Sequence, residues 1–113
     1  MSIITHLRSL LASASLLTLA TTALAQPLSL DVYNPGDKAI FPVTSTLISG
    51  EREAILVDAQ FSNREAQELV ERIQASGKTL TTIFISHGDP DFYFGLDTLT
   101  RAFPKAKVLA TPQ

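Results

Sequence analysis

The sharpest periodicity in the chain lies in "FSNREAQELVERIQASGK", residues 61–78, where Ala66, Leu69, Val70 and Ile73 recur at helical spacing among charged and amide side chains. Ser62 with Glu65 three residues later forms a capping box, Phe61 precedes it at the staple position, and Gly77 supplies the C-terminal stop. An amphipathic helix is predicted there.

On both sides the pattern turns strand-like. "AILVDA", Ala54–Ala59, runs through Ile55, Leu56 and Val57 without alternation, which predicts a strand buried on both faces with Asp58 at its end. "LTTIFIS", Leu80–Ser86, predicts a second. Upstream, "QPLSLDVYNPGDKA" (Gln26–Ala39) carries turn residues at Asn34-Pro35-Gly36-Asp37, and "IFPVTSTLIS" (Ile40–Ser49) is rich in β-branched residues. With the polar turn "SGERE" these stretches predict an antiparallel hairpin leading into the strand at Ala54. Downstream, one helix is expected over Pro90–Ala102 and a short strand over Ala106–Ala110.

The order is thus a hairpin followed by β-α-β-loop-α-β, an α/β fold whose later strands pair in parallel through a right-handed crossover. In open sheets of this kind ligands gather at the C-terminal ends of strands, and both Asp58 and His87 stand at such ends. Neighbouring strands would bring the two together.

Composition narrows the chemistry. The 113 residues contain 9 Lys+Arg against 11 Asp+Glu, net charge −2, so no basic excess recommends nucleic acid as a partner. Cysteine is absent, which removes disulfides, thiolate ligands and a cysteine nucleophile together. Any metal must use nitrogen and oxygen ligands.

Residues 1–25 read as a signal peptide. Arg8 is their single cation, a Leu/Ala-rich run begins at Leu10, and "ALA" at Ala23–Ala25 has the small-x-small form of a cleavage site. The run is interrupted by Ser13, Ser15, Thr18, Thr21 and Thr22 and is short for a bilayer span of about 20 apolar residues. A periplasmic or secreted protein starting near Gln26 is expected, with no stable membrane insertion after cleavage. A chain of that size buries only about 60 to 65% of its unfolded surface, so little stability in isolation is expected.

The densest chemistry lies in "ISHGDPDFYFGLD", Ile85–Asp97. His87, Asp89 and Asp91, two apart on a loop leaving a strand, are candidate ligands for one ion, with His87 bound as neutral imidazole and its second nitrogen held by a carboxylate or carbonyl. The same residues also make a good helix start: Asp89 as N-cap, Pro90 at the first helical position, Asp91 near the positive end of the dipole. Phe92, Tyr93, Phe94 and Leu96 then read as the packing face of a short helix. Ser86 beside His87 does not make a nucleophile–base pair, because adjacent side chains at a strand end point apart.

The run "STLISGEREAILVDAQFS", a capped helix and then "LTTIFISHGDPDFYFGLDTLTRAFPKAKVLAT" resembles the N-terminal part of the metallo-β-lactamase fold hydrolases. That family's signature is His-x-His-x-Asp-His at the end of such a strand, with an upstream aspartate after a Leu-Ile/Val pair. His87 matches the first histidine and Asp91 the aspartate, whereas Asp89 and Phe92 stand where the second and last histidines would be. The resemblance implies a mixed sheet in an αββα sandwich with helices on its outer face, of which residues 26–113 form an incomplete N-terminal part. It further implies a metal-dependent hydrolase of small-molecule substrates, with zinc as the first choice and manganese or iron as alternatives, one or two ions in the complete enzyme. His87, Asp89 and Asp91 would be the ligands, Asp91 the residue that orients or deprotonates the attacking water, and Asp58 a buried supporting aspartate. Asp58 also reads as a strand-end residue bonding loop amides.

Phe92 cannot coordinate an ion, and no histidine follows His87. The 113 residues alone are therefore expected to be inactive. Two other readings stay open: a non-catalytic relative that binds a ligand or partner, and a small exported α/β domain with no metal site. Lactams, lactones, thioesters, phosphoesters and sulfate esters are all handled by this fold, and the fold does not choose among them.

Overall fold

A computed structural model describes residue 22 and residues 24–112. The expected signal segment lies almost wholly outside the described residues. Among the described residues no helix is long and apolar enough to cross a membrane.

Five strands form one mixed sheet in the order β1-β2-β3-β4-β5. They are β1 (Ser29–Tyr33), β2 (Ser45–Ser49), β3 (Glu53–Val57), β4 (Thr79–Ile85) and β5 (Lys107–Ala110). The first three pair antiparallel, and β4 joins β3 and β5 in parallel. Between β3 and β4 runs α1 (Asn63–Ser76), and between β4 and β5 lie two short helices, α2 (Pro90–Tyr93) and α3 (Leu96–Ala102).

Helix α1 forms as its pattern requires. Ser62 caps it by accepting from the Glu65 amide, Gly77 closes it at φ 68°, and Ala66, Leu69, Val70 and Ile73 are buried. The Ser62 hydroxyl also donates to the Glu65 carboxylate, so the two residues bond each other in both directions. The Phe61 ring, expected at the staple position, packs edge-on against Phe41 at 4.9 Å and stacks on Phe94 at 5.4 Å.

The core lies on one face of the sheet. Leu47, Ala54, Leu56, Leu80, Ile83 and Ile85 from the strands meet Leu69, Val70 and Ile73 of α1 and Leu99 of α3. Strand alternation sends the intervening residues to the opposite face, where Leu30, Val32, Ile55 and Leu109 are exposed. The expected two-sided burial of β3 therefore does not hold: Leu56 is fully buried but Ile55 is 41% exposed. An unbroken apolar run specifies a strand without specifying what covers each side of it.

The second departure concerns the expected single helix over Pro90–Ala102. It breaks at Phe94 and Gly95, because Gly95 passes against the loop leaving β3. A Cβ on Gly95 would stand 2.1 Å from the Ala59 carbonyl oxygen and 2.8 Å from the Ala66 Cβ. The Gly95 amide donates to the Gln60 carbonyl at 2.9 Å instead of continuing an α-helical ladder. Close packing between backbone segments ends α2 and restarts the chain as α3.

Candidate metal centre at the ends of two parallel strands

Because β3 and β4 are parallel neighbours, their C-terminal ends lie side by side, and the segments leaving them are stitched together. The Asp58 amide donates to the Phe84 carbonyl at 2.8 Å, and the Ala59 amide to the Phe92 carbonyl at 2.8 Å. Asp58 is 5% exposed and holds φ 65°, the left-handed region that non-glycine residues seldom adopt. Its carboxylate accepts from the Ser86 amide at 2.8 Å and from the Ser86 hydroxyl at 2.6 Å. Both hydrogen-bond donors of the residue preceding His87 are thus held by one buried carboxylate, and such charge-assisted bonds are the stronger kind.

Two parts of this arrangement escaped sequence reasoning. Ser86, considered there only as a nucleophile, is the partner of Asp58. Gln60 is fully buried at φ 69° and its side-chain amide donates to the Val43 carbonyl and the Ser45 hydroxyl, each at 2.8 Å, tying the β3 end to β2. Its Oε1 has no hydrogen-bond partner among the described residues. The available signal was two polar residues, Asp58 and Gln60, directly after an apolar strand, where a parallel sheet turns its strand ends inward to loops.

Beyond Ser86 the chain emerges into solvent. The side chains of His87 and Asp89 are 56% and 67% exposed, with Nδ1 of His87 3.5 Å from Oδ2 of Asp89. Asp89 occupies the N-cap of α2 and Pro90 the first turn, as the helix-start reading requires, but the Asp89 side chain makes no capping hydrogen bond. Its backbone amide donates instead to His87 Nδ1 at 3.1 Å. Phe92, Tyr93 and Leu96 pack against the core, whereas Phe94 is 52% exposed and stacks on Phe61.

Two of the three candidate ligands, His87 and Asp91, face different spaces. His87 lines a cleft of about 620 Å³ with Ser86, Gly88, Tyr93, Leu96 and Val108. Asp91 lines another, of about 440 Å³, with Asp58, Phe92 and the segment Phe41–Thr44. Among the described residues no three histidine, aspartate or glutamate side chains come close enough to hold a metal ion together. The polarity at His87 also differs from that expected of a ligand. With Nδ1 accepting an amide, neutral imidazole carries its proton on Nε2, whereas a ligating histidine donates from the nitrogen that the metal does not use. As folded, His87, Asp89 and Asp91 do not fit an ion as one donor set; the structure brings the first two together and leaves the third apart.

Comparison with known proteins identifies the scaffold. The family model described as "Metallo-beta-lactamase superfamily" matches residues 39–112, more than half of the chain. The chain belongs to the metallo-beta-lactamase superfamily. An uncharacterized protein of Bacillus subtilis, YobT, is 35% identical over 71 residues, covering 63% of this chain and 30% of that protein. Among solved structures, metallo-beta-lactamase SMB-1 bound to 2-mercaptoethanesulfonate is 25% identical with TM-score 0.50, over 58% of this chain and 26% of that one. The mono-zinc form of FIM-1 from Pseudomonas aeruginosa is 14% identical with TM-score 0.55, over 74% and 37%. A metallo-beta-lactamase from Hirschia baltica is 16% identical with TM-score 0.56, over 74% and 38%.

The last two likenesses are of fold. They agree with the mixed sheet and flanking helices expected from the sequence, and this chain spans less than two fifths of each of these three metallo-beta-lactamase chains.

Proposed function

We propose that this chain is the N-terminal part of an exported, metal-dependent hydrolase that acts on small molecules in the periplasm or the medium, and that these 113 residues alone do not turn over. The observation that carries the reading is the strand-end pair: His87 and Asp89 stand together, open to solvent, directly after a serine clamped by a buried aspartate. A rigid strand end presenting exposed polar side chains is where open α/β sheets collect ligands. Zinc is the first choice of ion, with manganese or iron favoured more as carboxylate replaces imidazole at Asp89. Two donors do not close a site, so the remaining ligands are assigned to polypeptide outside the described residues, in keeping with the greater length of the relatives.

In this reading Asp58 and Ser86 position the loop, and Asp91 lines the cleft from which a substrate approaches. Incubated with zinc or manganese and chromogenic lactam, thioester and phosphoester substrates, the full protein is expected to hydrolyse at least one class and the 113-residue chain none. Metal-dependent turnover by the 113 residues, abolished by His87→Ala, overturns the second statement. A full protein inert toward all three classes and free of metal overturns the first.

One observation favours a second reading, a non-catalytic member that uses the scaffold for binding. The His87 Nδ1 is already occupied by the Asp89 amide. Purification of the full protein from its source without stoichiometric metal is the result that selects this reading.

A further inference from the structure

The separation of Asp91 from His87 has a residue at its centre. The Phe92 ring lies 4.9 Å from the His87 imidazole, inclined by 34°, and also walls the cleft that Asp91 enters. Phe92 is not free to swing aside. It packs against the core cluster, its carbonyl accepts from the Ala59 amide at 2.8 Å, and its amide donates to the Asp89 carbonyl at 3.0 Å. Asp91 and Phe92 are consecutive residues of α2, so their side chains diverge by about 100° around the helix axis. Turning Asp91 toward His87 would require α2 to rotate and break its bond to the β3 end.

Two ions about 3.5 to 4 Å apart need donors that converge from both sides of the pair. Here the position adjoining His87 is filled by a carbon ring without a lone pair, and the Asp91 carboxylate faces another cleft. We propose that Phe92 has taken the place of a second cation, so that the full protein holds a single divalent ion per chain at this strand end, with Asp91 outside its ligand set. The inference refines the hydrolase reading and takes from it only the presence of an ion.

The test counts ions in the full protein. After loading with zinc, and separately with manganese, followed by exhaustive dialysis, elemental analysis against protein concentration is expected to give one ion per chain. Asp91→Asn is expected to keep the wild-type count, and Phe92→His to raise it by one. Two ions in the wild type, or loss of an ion in Asp91→Asn, overturns the proposal, as does a folded Phe92→His protein that gains none. If circular dichroism shows that Phe92→His does not fold, the wild-type and Asp91→Asn counts decide. One bound ion with no turnover removes the hydrolase reading and leaves this inference standing; two ions with turnover do the reverse, and no bound ion overturns both.

Discussion

The ends of β3 and β4 lie side by side and are built on opposite terms. At the β3 end, Asp58, Ala59 and Gln60 are all buried, two of them in left-handed conformations, and their amides and side chains reach β2, β4 and α2. At the β4 end, Ser86, His87, Gly88 and Asp89 are exposed, and past the Asp58 bonds to Ser86 the contacts are few: the Asp89 amide on His87 Nδ1, the Phe92 amide on the Asp89 carbonyl and the His87 ring against Phe92. The first end carries strain and is held by its many partners. The second presents exposed polar side chains, and His87 and Asp89 can be altered at little cost to the fold.

Five substitutions at four positions test this contrast. The largest effect is expected from Gly95→Ala, which forces a methyl group into the Ala59 carbonyl where α2 docks on the β3 end. A loss of about 3 kcal/mol or more is expected, read as a lower urea midpoint or a failure to accumulate folded protein. A wild-type midpoint would mean that the two segments part easily, and the contrast would collapse. Next, Asp58→Ala removes both partners of Ser86 and leaves a non-glycine residue at positive φ, for an expected loss of about 3 kcal/mol. Asp58→Asn should lose about half of that, since asparagine keeps one acceptor and tolerates the left-handed region. Smallest, His87→Ala and Asp89→Ala are each expected to stay within about 0.5 kcal/mol of wild type, because both side chains face solvent and Asp89 makes no capping bond. A loss near 1 kcal/mol in Asp89→Ala would instead restore it as a working N-cap.

Much of this was legible beforehand. Helix α1 announced itself through its cap, its period and its glycine stop, all local features that act over a few residues. The strands around it followed from apolar runs bounded by turn residues, and the parallel pairing of β3 and β4 from the helix joining them. His87 and Asp58 were placed at adjacent strand ends, where the structure has them. Less legible was everything that depends on which side of an element meets another. Ile55 belongs to an apolar run, yet it points away from the face that α1 and α3 cover. Asp91 has the spacing of a ligand, yet α2 turns it into a cleft with Phe41–Thr44, segments brought together only by the fold.

From its sequence alone the chain determined the element types and their order, the exclusion of thiol chemistry, the location of its polar chemistry at one strand end and its membership of a superfamily, because these rest on local conformational preference and on motif. The tertiary structure decided the clamp of Asp58 on Ser86, the break at Gly95, the burial of Gln60 and the division of His87 and Asp91 between two clefts. Each of these is a contact between residues distant along the chain, and spacing along one chain carries no information about which side of a neighbouring strand or helix a side chain will meet.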